Sequence, residues 1–277
     1  MRRGFKQVDV FGSEPLGGNP VAVVLDAEDL GAEAMQRFAR WTNLSETTFV
    51  LPPSDPGLAD YRVRIFTPAD ELPFAGHPTL GSCHAWLEAT GAGHQHDLIR
   101  QECDAGIVEV RRSAEGLAFS APPIKRYEPP DSETLAIVAA ALGLDPSEVV
   151  DSHWVDNGPG WLAVLLESAE RVLAIDSPAF CDLDIGVVGP YSEGASPAFE
   201  VRAFFPVAGS LREDPVTGSL NASLGRWLLD SGRVSGSYVA AQGTALGRSG
   251  RVLVEPEGER LWVGGRTLTT ISGELDL

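Results

Sequence analysis

Val63-Arg64-Ile65-Phe66-Thr67-Pro68 and Val201-Arg202-Ala203-Phe204-Phe205-Pro206 nearly repeat one another, and Arg64 and Arg202 stand 138 positions apart in a chain of 277 residues. Each string runs within a few residues into a polar turn, Ala75-Gly76-His77-Pro78-Thr79 in the first half and Asp214-Pro215-Val216-Thr217-Gly218-Ser219 in the second. Each turn opens an apolar helix. Working outward, Ala22-Val23-Val24-Leu25 echoes Ala163-Val164-Leu165-Leu166, and both turn-led helices carry a Trp-Leu pair, Trp86-Leu87 and Trp227-Leu228. The chain therefore reads as a duplication with a pseudo-two-fold arrangement, in which two helix starts face a common cleft.

The two helices define the architecture. Pro78 to Trp86 and Ser219 to Trp227 are small and weakly polar on most faces, with no charged stripe for solvent. Such a helix is enclosed, so each is predicted to run inside a curved sheet. The flanking segments read as strands at Gln7 to Phe11, Val21 to Leu25, Thr47 to Leu51, Tyr61 to Phe66, Ile107 to Val110 and Leu117 to Ser120. A helix over roughly Gly31 to Trp41 has Leu30, Ala34, Phe38 and Trp41 on one face. A second helix is capped by Asp131 or Ser132 and stopped at Gly143. Further short strands follow at Tyr238 to Gln242, Arg251 to Glu255, Leu261 to Gly264 and Leu268 to Ser272. The stretch from Ala121 to Pro130 breaks every period. The division predicted is an α+β domain over about 1–121, a linker over about 122–129 and a second α+β domain over about 130–265; a last strand, about 266–277, returns to the first.

Composition excludes several classes of partner. A net charge of −18, from 21 Lys and Arg against 39 Asp and Glu, argues against nucleic acid or an anionic membrane. No apolar run approaches the ~20 residues of a membrane span, and the start of the sequence does not read as a signal peptide, so a cytoplasmic location is the default expectation. Cys83, Cys103 and Cys181 are scattered without Cys-x-x-Cys spacing and read as buried thiols. An anionic small molecule remains possible as substrate, because backbone N–H groups at a helix start bind a carboxylate without side-chain charge.

Candidate residues cluster at the two turns. His77 precedes the proline of the first turn-led helix and is either a polar cap or an imidazole reaching the cleft. Asp214 and Ser219 in the partner turn are either N-caps or site residues. Glu46, between a helix and a strand, reads by itself as a solvated strand end. His84 reads as packed. His94 and His96 suggest a metal pair only superficially, because no third ligand is apparent and a solvated loop explains them. His153 has no motif around it.

Six ordered motifs spanning essentially the whole chain carry a resemblance: Gly17-Gly18-Asn19-Pro20, Asn43-Leu44-Ser45-Glu46-Thr47, Arg64-Ile65-Phe66-Thr67-Pro68, Glu71 to Gly81, Glu213 to Ser219, and Gln242 to Arg248. Together they resemble the phenazine-biosynthesis PhzF family, within the diaminopimelate-epimerase-like superfamily. The resemblance implies two similar domains, each a rolled, mostly antiparallel sheet around a central helix, with the active site in the cleft, commonly in a homodimer. It implies Glu46 as general acid/base, His77 and Asp214 beside it, and Gly76, Gly218 and Ser219 as substrate contacts.

Where epimerases and racemases of the superfamily place two cysteines, this sequence has Ala75 and Asp214, so a two-thiol racemase is not expected. The motif here continues Gly218-Ser219-Leu220-Asn221, where many relatives continue Gly-Ser-Ala-His, and this bears on substrate shape.

The reaction so implied is isomerisation without cofactor or metal: Glu46 moves a proton within a small carboxylate-bearing substrate, which in the phenazine enzyme is dihydro-3-hydroxyanthranilate. Two alternatives are a hydrolase using Ser219, His77 and Asp214 as a triad, against which stands the lack of a Gly-x-Ser-x-Gly elbow, and a non-catalytic small-molecule binder.

Overall fold

The computed structural model describes residues 1–91, 97–113 and 115–277. His94 and His96 lie outside the described residues. The chain divides into two compact units, Met1–Ser120 with Gly264–Leu277, and Ala121–Val263. The first contains β1 (Arg2–Val10), β2 (Asn19–Val24), α1 (Ala32–Thr42), β3 (Glu46–Leu51), β4 (Tyr61–Phe66), β5 (Glu71–Leu72), α2 (Gly76–Thr90), β6 (Leu98–Cys103), β7 (Gly106–Ser113) and β8 (Gly116–Ser120). The second contains β9 (Arg126–Glu128), α3 (Ser132–Leu142), β10 (Asp151–Asp156), β11 (Leu162–Leu165), α4 (Ala169–Leu173), β12 (Ile185–Pro190), β13 (Phe199–Val207), β14 (Ser210–Asp214), α5 (Gly218–Asp230), β15 (Tyr238–Gln242) and β16 (Gly250–Glu257). The chain continues through β17 (Arg260–Gly265) to β18 (Thr267–Asp276), which pairs antiparallel with β1.

The units share one topology. In the first, neighbouring strands run β18-β1-β2-β3-β4-β6-β7-β8, antiparallel except at β2/β3 and β4/β6. In the second they run β9-β10-β11-β12-β13-β15-β16, antiparallel except at β11/β12 and β13/β15. The short strands β5 and β14 pair with β4 and β13 in matching places. A parallel pair needs a crossover, and here the crossovers are the helices: α1 and α4 serve one pair in each unit, α2 and α5 the other. Arg126–Glu128, inside the stretch read as a linker, forms β9 against β10 and occupies the position that β18 holds beside β1. Three residues of extended backbone can pair through the main chain without any hydrophobic period to announce them.

The sheet of the first unit wraps α2, which packs against β1, β2, β3, β4, β6, β8 and β18. Every residue from Gly76 to Cys83 is buried, and Gly91 ends the helix in the left-handed conformation that glycine adopts without strain. Close approach depends on Gly81, where a Cβ would fall 2.3 Å from Val21 Cγ1. α5 is buried as completely over Gly218–Gly225.

Amphipathic α1 covers the sheet's other face through Met35 and Ala39, with Phe38 partly buried beside Phe49. Trp41 departs from the predicted stripe: it is 79 % exposed and stacks on Phe38 at 6.0 Å. The seam centres on Met35 and Ala39, one residue ahead of the predicted face, which turns Trp41 outward. α3 covers the second sheet through Val138 and Leu142; of the two candidate caps Asp131 is the one used, and the helix stops at Gly143 as predicted.

The repeated Arg also has a structural task. Arg64 binds Glu71 through two hydrogen bonds of 2.6 and 2.7 Å, tying β4 to β5. Arg202 does the same with Glu213 at 3.0 and 2.7 Å and also donates to the carbonyls of Val172 and Ile175 at the end of α4. The second pair is the more deeply buried, with side chains 6 % and 9 % exposed against 19 % and 29 % for the first. Removing one partner of a buried pair strands the other charge. Glu213→Gln is expected to lower stability to chemical denaturation by about 3 kcal/mol or more, and Glu71→Gln by about 1 kcal/mol. Equal losses in the two variants would contradict this ranking.

Candidate functional site

The candidate residues fall into two groups, one in each unit, and the first is built at the starts of β2, β3 and α2. Asn19 opens β2 and is fully buried. The preceding turn is possible only with glycine, because a Cβ on Gly18 would lie 2.0 Å from the carbonyl oxygen of Val10. Gly18 N–H donates to Asp9 Oδ1 at 2.9 Å, which fixes the entry of the strand. Glu46 is the first residue of β3, paired in parallel with Val21, and its side chain is 16 % exposed. It is thus not the solvated strand end that its local sequence suggests.

His77 is the second residue of α2 rather than a residue before the helix, and it is 4 % exposed. Its Nε2 stands 3.3 Å from Glu46 Oε2, and its Nδ1 stands 3.4 Å from Asn19 Nδ2. Burial pushes the imidazole down to about 3, so near neutral pH the ring is uncharged and the contact with Glu46 joins a neutral ring to a carboxyl group. With the Asn19 amide nitrogen 3.4 Å from Nδ1, Nδ1 acts as the acceptor and the proton of the neutral ring belongs on Nε2, which lies near Glu46 Oε2 without forming a hydrogen bond to it.

The second group lies at the start of α5. Asp214 ends β14, in register with Ala203, and Oδ2 accepts a hydrogen bond from Thr217 Oγ1 at 2.6 Å. Thr217 is the N-cap residue but makes no side-chain cap bond, and the same holds for Ala75 ahead of α2. Neither His77 nor Asp214 nor Ser219 occupies the cap position, so capping does not account for them. By contrast Asp131 and Ser168 cap α3 and α4 with their side chains.

Gly218 and Ser219 are the first two residues of α5, as Gly76 and His77 are of α2. Ser219 Oγ accepts from the indole of Trp161 at 3.1 Å, and its carbonyl accepts from Asn157 Nδ2 at 2.9 Å. A donor aimed at the hydroxyl oxygen withdraws electron density from it, the opposite of what a general base does for a serine nucleophile. In each unit a buried asparagine therefore addresses the second residue of the central helix, Asn19 at His77 and Asn157 at Ser219.

Sequence reasoning did not single out several of these side chains. Asn19, Thr217 and Gln242 stood inside quoted motifs without an assigned role, and their clue was burial of a polar residue in an otherwise apolar element. Asn157 and Trp161 had no motif at all, and only the repeat, which aligns Trp161-Leu162-Ala163-Val164 with Pro20-Val21-Ala22-Val23, could have pointed to that loop.

His84 and His153, the other described histidines, are engaged elsewhere. His84 contacts the hydroxyls of Thr267 and Thr269, both at 3.0 Å, and His153 lies against Tyr127 with its Nδ1 2.8 Å from the Trp154 carbonyl. All three cysteines are free and buried, and burial pushes the Cys83 thiol up to about 12. Among the described residues no three His, Cys, Asp or Glu side chains gather as a metal-holding group, and no helix is long and apolar enough to cross a membrane.

Known proteins share this chain's sequence and fold. The profile of the family described as "Phenazine biosynthesis-like protein" (PhzC-PhzF) matches residues 8–273. The chain is 40% identical over 294 residues to "Antisense-enhancing sequence 1" of Schizosaccharomyces pombe, covering 98% of this chain and 97% of that protein. It is also 40% identical, over 259 residues, to trans-2,3-dihydro-3-hydroxyanthranilate isomerase of Pseudomonas aeruginosa, covering 91% and 89%. The crystal structure of a PhzF-family phenazine biosynthesis protein from Enterococcus faecalis superposes with a TM-score of 0.81 at 26% identity, covering all of both chains. With the profile spanning nearly its full length, the chain belongs to the phenazine biosynthesis-like PhzC-PhzF family.

Proposed function

We propose that this protein is a PhzF-type isomerase that moves a proton within a small carboxylate-bearing substrate by general acid/base catalysis, with Glu46 as the group that carries the proton. The observation supporting this reading is the contact of Glu46 with a buried, neutral His77, 3.3 Å apart at the first residues of β3 and α2. A carboxylate beside a neutral imidazole keeps its capacity to take a proton from carbon, whereas an imidazolium in that place would favour the carboxylate and weaken it as a base. Glu46 removes a proton from a carbon acidified by a neighbouring double bond or carboxyl group, then returns it to another carbon of the same conjugated system. One side chain serves both steps. The shuttle requires no redox cofactor or electron sink.

In this proposal main-chain N–H groups at an uncapped helix start bind the substrate carboxylate; Gly76 offers such a group in the first unit, and Gly218 and Ser219 offer them in the second. His77 donates from Nε2, and Asp214 accepts from a hydroxyl or amino group of the substrate. The compound named for the Pseudomonas aeruginosa relative, trans-2,3-dihydro-3-hydroxyanthranilate, is the first to test, followed by other small cyclic amino and hydroxy acids.

Incubation of wild-type protein with these acids in deuterated water is expected to place deuterium in the substrate or product. Glu46→Gln is expected to reduce that exchange about 100-fold or more while binding changes little. Undiminished exchange in the variant removes Glu46 from the mechanism, and tight binding with no exchange in wild type points to a binding protein.

The neutral state of His77 also predicts a pH dependence of stability. Folding lowers its pKa from 6.5 to about 3, so the unfolded chain takes up a proton that the folded chain refuses between those values. The resulting stability is present in full above about pH 6.5 and is lost as pH falls toward 3. Between pH 7.5 and pH 5, wild type should lose on the order of 1–2 kcal/mol more than His77→Gln in denaturant titrations. Parallel losses in the two proteins would show that His77 is not held neutral.

A further inference from the structure

The hydrogen-bond chain behind Asp214 has a direction that chemistry alone fixes. Thr217 N–H is a donor, so the Gln242 side-chain atom 3.0 Å from it is the amide oxygen. Thr217 C=O is an acceptor, so the Asn221 atom 2.9 Å from it is the amide nitrogen, and that nitrogen also donates to the same Gln242 oxygen at 2.8 Å. The other end of Gln242 is then NH2, in agreement with its 3.3 Å contact to the Asp214 carbonyl. This NH2 donates to Thr217 Oγ1 at 2.9 Å. Thr217 has a single hydroxyl proton, and with Oγ1 already accepting, that proton goes to Asp214 Oδ2 at 2.6 Å. Gln242 and Asn221 are fully buried and Thr217 is 7 % exposed, so water does not compete for these bonds.

We propose that Gln242 and Thr217 are positioning residues that hold the Asp214 carboxyl group as a hydrogen-bond acceptor in its ionised form, so that the substrate group it receives is a donor, an amino or ammonium group or a hydroxyl. The relay runs one way, from Gln242 NH2 to Thr217 Oγ1–H to Asp214 Oδ2. This deepens the role proposed for Asp214 and rests on that reading for the use made of the carboxylate, whereas the state of the carboxylate itself can be measured without turnover.

The charged groups on the surrounding elements are Glu200 and Arg202 on β13, Arg212 and Glu213 on β14, Arg226 and Asp230 on α5, Arg248 in the turn after β15, and Arg251, Glu255 and Glu257 on β16. Glu213 is paired with Arg202, Glu200 accepts from Tyr191, and Arg248 packs against Gly243. None of these is altered in the variants compared, so a shift between those variants reads the relay.

The test is a carbon-13 NMR titration of the full-length protein labelled at aspartate carboxyl carbons, with the Asp214 signal identified by its loss in Asp214→Asn. Thr217→Val keeps the side-chain shape, suits the extended backbone at this position and removes the hydroxyl; it is expected to raise the Asp214 midpoint by about one pH unit, a tenfold gain in proton affinity. Thr217→Ser should restore the wild-type midpoint, which a packing role for the methyl group would not do. Gln242→Met should raise the midpoint in wild type and add nothing further in a Thr217→Val background, because it acts through that hydroxyl. An unchanged midpoint in Thr217→Val, or a full additional shift in the double variant, would overturn the proposal. Because no substrate is involved, this outcome is independent of whether deuterium exchange supports the isomerase reading.

Discussion

Each unit is organised by the need to enclose a helix that has no face for water. α2 and α5 are made of small and apolar residues, and an isolated helix of that composition would expose its apolar surface on all sides. The solution adopted twice is a sheet rolled around the helix. Gly81 allows α2 to lie against Val21, and Gly225 allows α5 to lie against Val254, where an added Cβ would come within 2.3 and 2.7 Å. Because each helix is also the crossover between two parallel strands, its first turn follows directly from a strand hairpin held by a bidentate Arg–Glu pair. Enclosure thus fixes not only the helix but also the exact residues that begin it: Gly76 and His77 in one unit, Gly218 and Ser219 in the other.

Polar groups carried into such an interior must find partners there. In both units a glutamine on the strand after the central helix meets that need. Gln101 on β6 donates to Thr79 Oγ1 at 2.9 Å and accepts from Tyr61 at 2.8 Å. Gln242 on β15 donates to Thr217 Oγ1, also at 2.9 Å. The glutamine recurs, but its hydroxyl partner moves from Thr79, the fourth residue of α2, to Thr217, the residue that precedes α5, while Asn221, the fourth residue of α5, donates to Gln242 at 2.8 Å. In the first unit the helix start presents an imidazole to a glutamate; in the second a hydroxyl network leads to an aspartate. The two units therefore carry different polar groups at the starts of their central helices.

The bonds around His77 and Asp214 share a logic. In each case a buried amide side chain bears on where a proton lies: Asn19 Nδ2 at His77 Nδ1 leaves the ring proton on Nε2, and Gln242 directs the Thr217 proton toward Asp214. Amides do not titrate, so they hold these arrangements across a wide pH range. This is a physical reason for a site of this type to recruit Asn and Gln behind its ionisable groups.

Much of this was legible in the amino-acid order. The duplication, the enclosed helices and the stop of α3 at Gly143 follow from local patterns, because periodicity, proline and glycine act through the backbone of neighbouring residues. The pairing of Arg126–Glu128 with β10, the outward turn of Trp41 and the contacts of Asn19, Asn157, Trp161 and Gln242 were not legible. These depend on which distant strand or helix comes to lie alongside, and polar side chains have no periodic signature that reveals a partner far away in the sequence. Glu46 shows the division most clearly: its position between a helix and a strand follows from the sequence, but its 16 % exposure and its place 3.3 Å from a neutral imidazole exist only because β2, β3 and α2 start at the same point in the folded unit. Local order selected the elements; tertiary packing, by removing water from around particular side chains, decided which of them could do chemistry.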